Sequence, residues 1–320
     1  LMSFTQDVKL ETSLLKAEGD EARAELSALI QLTSSLSITH EGMTLLVQTE
    51  NAPVSRCVYR LLRERFAEVR IEPMVRRKMN LHKNLVYILR VYGPVTDILK
   101  DLGIYSARGL LDRPLKTIVA KDNCARCYLR GAFMADGSVN SPSTSSYHLE
   151  IKAANPAHAS FLMELLERFY IPSKQIERRG HSIVYVKAAE KIGDFLRVIG
   201  ADQQLMAFEN ERISRDMSNN IQRLNNVDVA NEVKSMQAAG RQLEDIQLVE
   251  EHMDMRSMDP KLKEVMELRR ENPEATLNEL AELFLQKTGS PVSKSGLKHR
   301  FVRIHELAEK IRQVEHNEQQ

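Results

Sequence analysis

Two apolar stretches of the chain align without a gap. Residues 26–36 read LSALIQLTSSL and superimpose on residues 129–139, LRGAFMADGSV. Both place apolar side chains at helical spacing and interrupt them with small residues, Ser27 and Ala28 in the first copy, Gly131 and Ala135 in the second. Small residues at such intervals predict two helices packed at close range. Each run then gives way to an extended segment.

The correspondence continues downstream. Residues 49–66 match 153–170, with Asn51 falling on Asn155 and the pair Leu61 and Leu62 on Leu165 and Leu166, and residues 85–104 match 182–201. Three blocks in one order make an internal duplication. Each copy reads helix, two strands, helix, two strands, helix, or αββαββα. In the first, 36–38 and 43–49 pair around His40, Glu41 and Gly42, residues 52–66 are helical, and 69–75 and 85–91 form a second strand pair. In the second, the turn signals are residues 140–144 and Arg179, Gly180 and His181. A short helix over residues 3–20 precedes the duplication.

After residue 202 the pattern turns polar and helical. Arg212, Arg215, Asn219, Asn220, Arg223, Asn225, Asn226 and Asn231 crowd a stretch without proline. Asparagine is a poor helix former, so this segment is either a solvated connector or a surface for phosphate contact or domain docking. A helical unit follows Pro260: a first helix over 261–270, a break at Pro273, then Thr276 with Glu279 as a capping-box pattern opening a second helix. Ser293 caps a third, 294–311, whose Leu297, Phe301, Ile304 and Leu307 form an apolar stripe at 3.6-residue spacing. This is a helix-turn-helix pattern.

Composition narrows the class. The 320 residues suffice for two or three cores, and no window resembles a membrane span. The opening LMSFTQDVKLE is not a signal peptide, and Met2 reads as the native first residue. A cytoplasmic, nucleoid-associated protein without membrane partners is expected. Cys57, Cys124 and Cys127 are too few for a disulfide framework, and the lone C-x-x-C reads as reduced structural thiols. No cofactor or metal is expected. The net charge of +1 conceals asymmetry: residues 56–90 hold ten Lys/Arg against three Glu, including Arg76, Arg77, Lys78 and Lys83 on a hairpin. Such an excess suits a solvated face or a polyanion such as DNA.

Two places could carry chemistry. In the second copy, Asp136 sits where the helix hands over to a strand; a carboxylate there could hold Mg²⁺ and activate water for phosphodiester cleavage. Thr33 occupies the same place in the first copy and can neither neutralise a cation nor take a proton, and Glu25 lies on the wrong turns to replace it. Asp136 therefore reads as a structural cap beside Gly137, with a metal-dependent nickase as the alternative. The third C-terminal helix is the other place. Lys294, Ser295, Lys298, His299, Arg300 and Arg303 lie off its apolar stripe, and residues 293–304 hold four Lys/Arg and no acid. Short hydroxyls and cations at a helix N-terminus suit the major groove of double-stranded DNA; an exposed face of a protein-interaction module is the alternative.

The segment YLRGAFMADGSV resembles the LAGLIDADG signature of homing endonucleases, with Met134 at the first acid of the signature. The whole chain resembles the bacterial WhiA family through MSFTQDVKLE, ELSALI, TENA, YLRGAFMADGSVNSP, SSYHLEI, RDMSNNIQRLNN followed by AN, and SKSGLKHR. The resemblance implies an α+β fold: a duplicated LAGLIDADG-like saddle, a helical linker, and an all-α helix-turn-helix over 276–309. It implies a DNA-binding regulator connected with cell division, chromosome segregation and, in some lineages, sporulation, with nuclease activity lost. Arg76 to Lys83, and Lys174, Arg178 and Arg179, correspond to segments that face DNA in a working saddle; Arg212 and Arg215 are further candidate contacts, and a regulatory protein is the other candidate partner for that surface. The expected domains are 1–110, with the N-terminal helix and first repeat; 120–202, the second repeat; 203–254, the linker; and 255–320, the helix-turn-helix.

Overall fold

The computed structural model describes residues 3–39, 42–77, 85–144 and 146–318, so the expected turn at His40 and Glu41 and the side chains of Lys78 and Lys83 lie outside the described residues. The chain divides into two units, 1–216 and 217–320.

The first unit contains the duplication. Helix α1 (Phe4–Leu14) is followed by α2 (Gly19–Thr33), strands β1 (Ser34–Thr39) and β2 (Gly42–Thr49), α3 (Ala52–Arg65), β3 (Arg70–Arg77), β4 (Leu85–Tyr92) and α4 (Val95–Asp101). A small hairpin, β5 (Tyr105–Ser106) with β6 (Gly109–Leu110), and one 3₁₀ turn (Lys116–Val119) lead to the second copy. That copy is α5 (Asp122–Asp136), β7 (Gly137–Val139), β8 (Leu149–Lys152), α6 (Pro156–Arg168), β9 (Lys174–Arg178), β10 (His181–Val186) and α7 (Ala189–Ile199). The sheets have equivalent antiparallel orders, β1-β2-β4-β3 and β7-β8-β10-β9. The matched asparagines do the same work in both copies: Asn51 and Asn155 accept the backbone N–H of Val54 and His158, at 3.0 and 2.9 Å, to cap α3 and α6.

One boundary differs from the sequence reading. The N-terminal helix ends at Leu14 rather than near residue 20, because Arg60 on α3 draws the Ser13 and Leu15 carbonyls outward (3.4 and 3.1 Å). Gly19, at φ +55°, begins α2 instead.

Helices α2 and α5 cross at the centre of this unit. A Cβ at Gly131 would lie 2.4 Å from the Glu25 carbonyl oxygen and 3.1 Å from the Ala28 methyl, so only glycine permits this approach. The same crossing buries an ion pair: Glu25 is fully inaccessible, and Arg130 donates to its Oε2 through Nε at 2.8 Å and through Nη2. Cys57 and Cys127 line the pair and are buried free thiols, as is Cys124. Burial pushes Cys57 and Cys127 up to about 12, which keeps them protonated and unreactive. Burial also raises the Glu25 carboxyl, and the Arg130 guanidinium opposes that push.

A second polar chain ties the repeats together. The Ala154 N–H donates to His158 Nδ1 (3.2 Å), so the ring carries its proton on Nε2 and donates to Tyr128 Oη (2.8 Å); the tyrosine donates in turn to Gln31 Oε1 (3.0 Å). A proton added at Nδ1 would face the Ala154 N–H, and burial holds His158 at about 4.

Two outcomes follow. The folded state refuses a proton that the unfolded chain accepts at about 6.5, so the stability owed to neutral His158 is complete above that value and lost as pH falls toward 4. Denaturant titrations of His158→Gln should show a flatter acid limb than the parent. Arg130→Met should cost roughly 3–5 kcal/mol by stranding Glu25, and the double variant with Glu25→Leu should recover most of it; chemical denaturation reads both.

Candidate nucleic-acid interface

The second unit is built around the end of a long helix. Helix α8 (Asp202–His252) is continuous, where the sequence left a connector, and residues 217–234 are exposed along it. Its last turns enter a core with α9 (Pro260–Glu271), α10 (Leu277–Thr288) and α11 (Lys294–Glu318): Ile246 and Val249 pack with Val265, Leu280, Phe284, Leu297, Phe301 and Ile304. Asp245, nearly buried, accepts from His305 and from Arg312, both at 2.7 Å, and so fastens α8 to α11.

The turn between α9 and α10 is held from within. Arg269 is 2% exposed, lies over the Phe301 ring at 5.4 Å, and donates through Nη1 to the Ala275 carbonyl at 2.5 Å. Thr276 and Glu279 exchange hydrogen bonds in the capping box: Glu279 N donates to the threonine hydroxyl at 3.3 Å, and Thr276 N donates to the carboxylate at 2.7 Å. Gly289, at φ +71°, closes α10, and Ser293 Oγ accepts from Gly296 N at 3.1 Å to open α11.

On α11 the apolar stripe faces this core, and Ser293, Lys294, Ser295, Lys298, His299 and Arg303 are exposed. No acid lies within ion-pairing distance of Lys294, Lys298 or Arg303 among the described residues. Arg300 differs from its expected place among these free groups. It is half-buried, its guanidinium 5.1 Å from the Phe284 ring centre, because its position borders the stripe and its stem covers α10.

The cations of the first unit are mostly engaged. Register places Arg76 on the face of β3 turned from the core and Arg77 on the opposite parity. Lys174 and Arg178 share the open face of β9, where Arg178 pairs with Glu150 at 3.1 Å, while Arg179 occupies the turn at φ +53°. Arg212 pairs with Glu209, and Arg215 donates to the Pro142 and Thr144 carbonyls and lies over Tyr147.

At the base of α2 and α5, Thr33 and Asp136 line one cleft of about 510 Å³ with Thr5, Lys9, Gln48 and Arg76. The Thr33 hydroxyl donates to the Leu29 carbonyl of its own helix (2.6 Å), and Asp136 lies 3.7 Å from Lys152 Nζ. Burial lowers Lys9 to about 8, with the Asp136 carboxylate pulling the other way. Thr5 of α1 both donates to and accepts from the Val139 backbone, at 2.8 and 2.9 Å, along the β7 edge.

Known proteins agree with this architecture. Residues 19–105 match the WhiA N-terminal LAGLIDADG-like domain, 125–218 the WhiA LAGLIDADG-like domain, and 221–308 the WhiA C-terminal HTH domain. A probable cell division protein WhiA of Staphylococcus carnosus is 43% identical over 315 residues, 98% of this chain and 99% of that protein. Its counterpart in Bacillus licheniformis is 43% identical over 312 residues, covering 97% of this chain and 98% of the relative.

The chain belongs to the WhiA family.

A crystal structure of full-length DUF199/WhiA from Thermatoga maritima shares the fold with a TM-score of 0.59 at 22% identity, over 97% of this chain and 99% of that one. The α+β class, with two LAGLIDADG-like domains ahead of an all-helical HTH region, is thereby established for this WhiA chain. The HTH match begins inside α8. Sequence reasoning missed Lys9, Asp245 and Arg269: nothing local distinguishes a lysine that ends in a cleft, or a charge that ends in a core, from those on solvated helix faces. Among the described residues no helix is long and apolar enough to cross a membrane.

Arg269→Ala should unfasten the turn before α10 by stranding carbonyls and uncovering Phe301, lowering stability by roughly 2–4 kcal/mol. Thr276→Ala should cost about 1 kcal/mol. Thermal unfolding monitored by circular dichroism would rank the two.

Proposed function

We propose that this WhiA chain is a non-enzymatic, sequence-specific double-stranded-DNA-binding protein, acting as a transcription or chromosome-associated factor in the cytoplasm at the nucleoid. Its setting is cell division and chromosome segregation, with control of sporulation in lineages that sporulate. The observation that carries the reading is the run of exposed, unopposed cations and hydroxyls on the N-terminal half of α11, behind a capped turn. Ser293, Lys294, Ser295, Lys298 and His299 form the base-facing end, and Arg303 reaches phosphate. A helix seated on a rigid three-helix core presents such groups without ordering cost at the moment of binding.

The duplicated domain plays a supporting part, through phosphate contacts from Arg76, Arg77, Lys174 and Arg179 or as a docking face for a regulatory protein. Cleavage is not its role in this reading. The Thr33 hydroxyl is spent on its own helix, and Asp136 faces Lys152 and Lys9, so one of the paired carboxylates required for two-strand hydrolysis is a hydroxyl and the other sits in a partly exposed ion pair.

Lys298→Ala should weaken binding to a selected DNA fragment by roughly 1–3 kcal/mol if it reads a base, whereas Arg303→Ala should weaken all sequences alike and reduce the salt slope by about 1. Lys298 is the cleaner probe, since Arg300→Ala also uncovers Phe284. Unchanged affinity in both the Lys298 and Arg303 variants would remove α11 from the DNA surface. Supercoiled plasmid should remain intact with Mg²⁺ or Mn²⁺; nicking lost in Asp136→Asn would overturn the non-enzymatic assignment.

A further inference from the structure

Helix α8 carries apolar side chains that nothing among the described residues covers. Met217 and Leu224 are each 65% exposed, Val227 is 56% and Ile221 is 49%. With Asn220 and Asn231 they fall into one seam: Met217, Asn220, Leu224, Val227 and Asn231 are separated by three, four, three and four residues. That alternation places them on a single stripe of the helix, with Ile221 beside it, and is the spacing of a two-stranded coiled coil.

We propose that this stripe pairs with the same stripe of a second copy of the chain, parallel and in register. Three features select that occupant. First, residues 217–238 carry Arg223 and Lys234 against Asp228 and Glu232, a net charge of zero, which offers no attraction to a polyanion and no repulsion between copies. Second, Arg223 and Asp228 flank the seam on opposite sides, five residues apart. A parallel partner brings Arg223 of each copy to Asp228 of the other, giving two ion pairs; an antiparallel one sets like flanks together and forms neither. Third, a general apolar groove would leave the amides of Asn220 and Asn231 unpaired, whereas in-register copies set each asparagine opposite itself. Such polar positions reduce stability and specify two strands in one register.

The helix is already formed, and its C-terminal end is fixed in the core at Ile246 and Val249. Association therefore does not carry the nucleation cost that makes short isolated helices marginal. A dimer would present two copies of α11, which on the DNA reading suits a two-fold site. The pairing itself does not rest on that reading and is measured without nucleic acid.

Sedimentation velocity of the full chain from about 1 to about 100 µM should show the mass rising from 36.5 kDa toward twice that value. Leu224→Glu should raise the dissociation constant at least about tenfold with the circular dichroism spectrum unchanged, since this side chain is exposed. Val233→Glu, off the seam, should dimerise like the parent. Leu224→Cys, mildly oxidised with glutathione disulfide, should form a covalent dimer through residue 224. A chain that stays at monomer mass throughout would overturn the proposal. So would equal loss in the Leu224→Glu and Val233→Glu variants, or a mass-doubled Leu224→Cys chain that does not cross-link.

Discussion

The fold of the first unit depends on how closely α2 and α5 approach. Gly131 sets that distance, because any side chain there would meet the Glu25 carbonyl. At this separation Glu25 has no access to solvent, so its charge and that of Arg130 must satisfy one another. The two sheets hang from these helices: Leu26, Leu29 and Ile30 of α2 pack into the first core together with Met134 of α5, and Leu129, Ala132 and Phe133 of α5 into the second together with Ala28 of α2. Each helix thus contributes to both cores, and the repeats are parts of one body.

Helix α1 finishes that body in a way the repeat alone does not require. Its Thr5 binds the edge of β7, its Lys9 lines the cleft with Asp136, and its Glu11 accepts the backbone N–H groups of Gln203 and Gln204 at 2.7 and 3.0 Å, capping the start of α8. A carboxylate at a helix N-terminus satisfies orphan donors and complements the dipole. The cleft beside Asp136 is lined by Lys9, which burial lowers to about 8 while the Asp136 carboxylate pulls the other way.

Charge is treated differently in the two units. In the first unit several cations find acids: Arg178 on β9 with Glu150, Arg70 on β3 with Glu72, and Arg65 at the end of α3 with Asp101. On α11, acids are absent from the N-terminal half, while the residues that do pair, His305 and Arg312, lie farther along and turn toward Asp245. The separation along one helix follows from its packing. The apolar stripe of the first turns packs into the core while their cations face outward, and farther along His305 and Arg312 turn to Asp245 on α8.

Much of this was legible in the chain itself, because helices and strands announce themselves through short-range periodicity. The duplication, the paired small residues, the asparagine caps, the capping box at Thr276 and the stripe from Leu297 to Ile304 are all local patterns, and local hydrogen bonds and burial suffice to impose them. The family resemblance rested on the same residues. What only the tertiary structure decided were pairings between distant segments. Glu25 and Arg130 stand 105 residues apart, His158 and Gln31 meet through Tyr128, and Arg300 lies down on Phe284 instead of pointing outward. A charged side chain has the same sequence signature whether it ends in water, in a cleft or across a helix crossing; burial, which settles its protonation and its partners, belongs to the packed chain and not to any stretch of it.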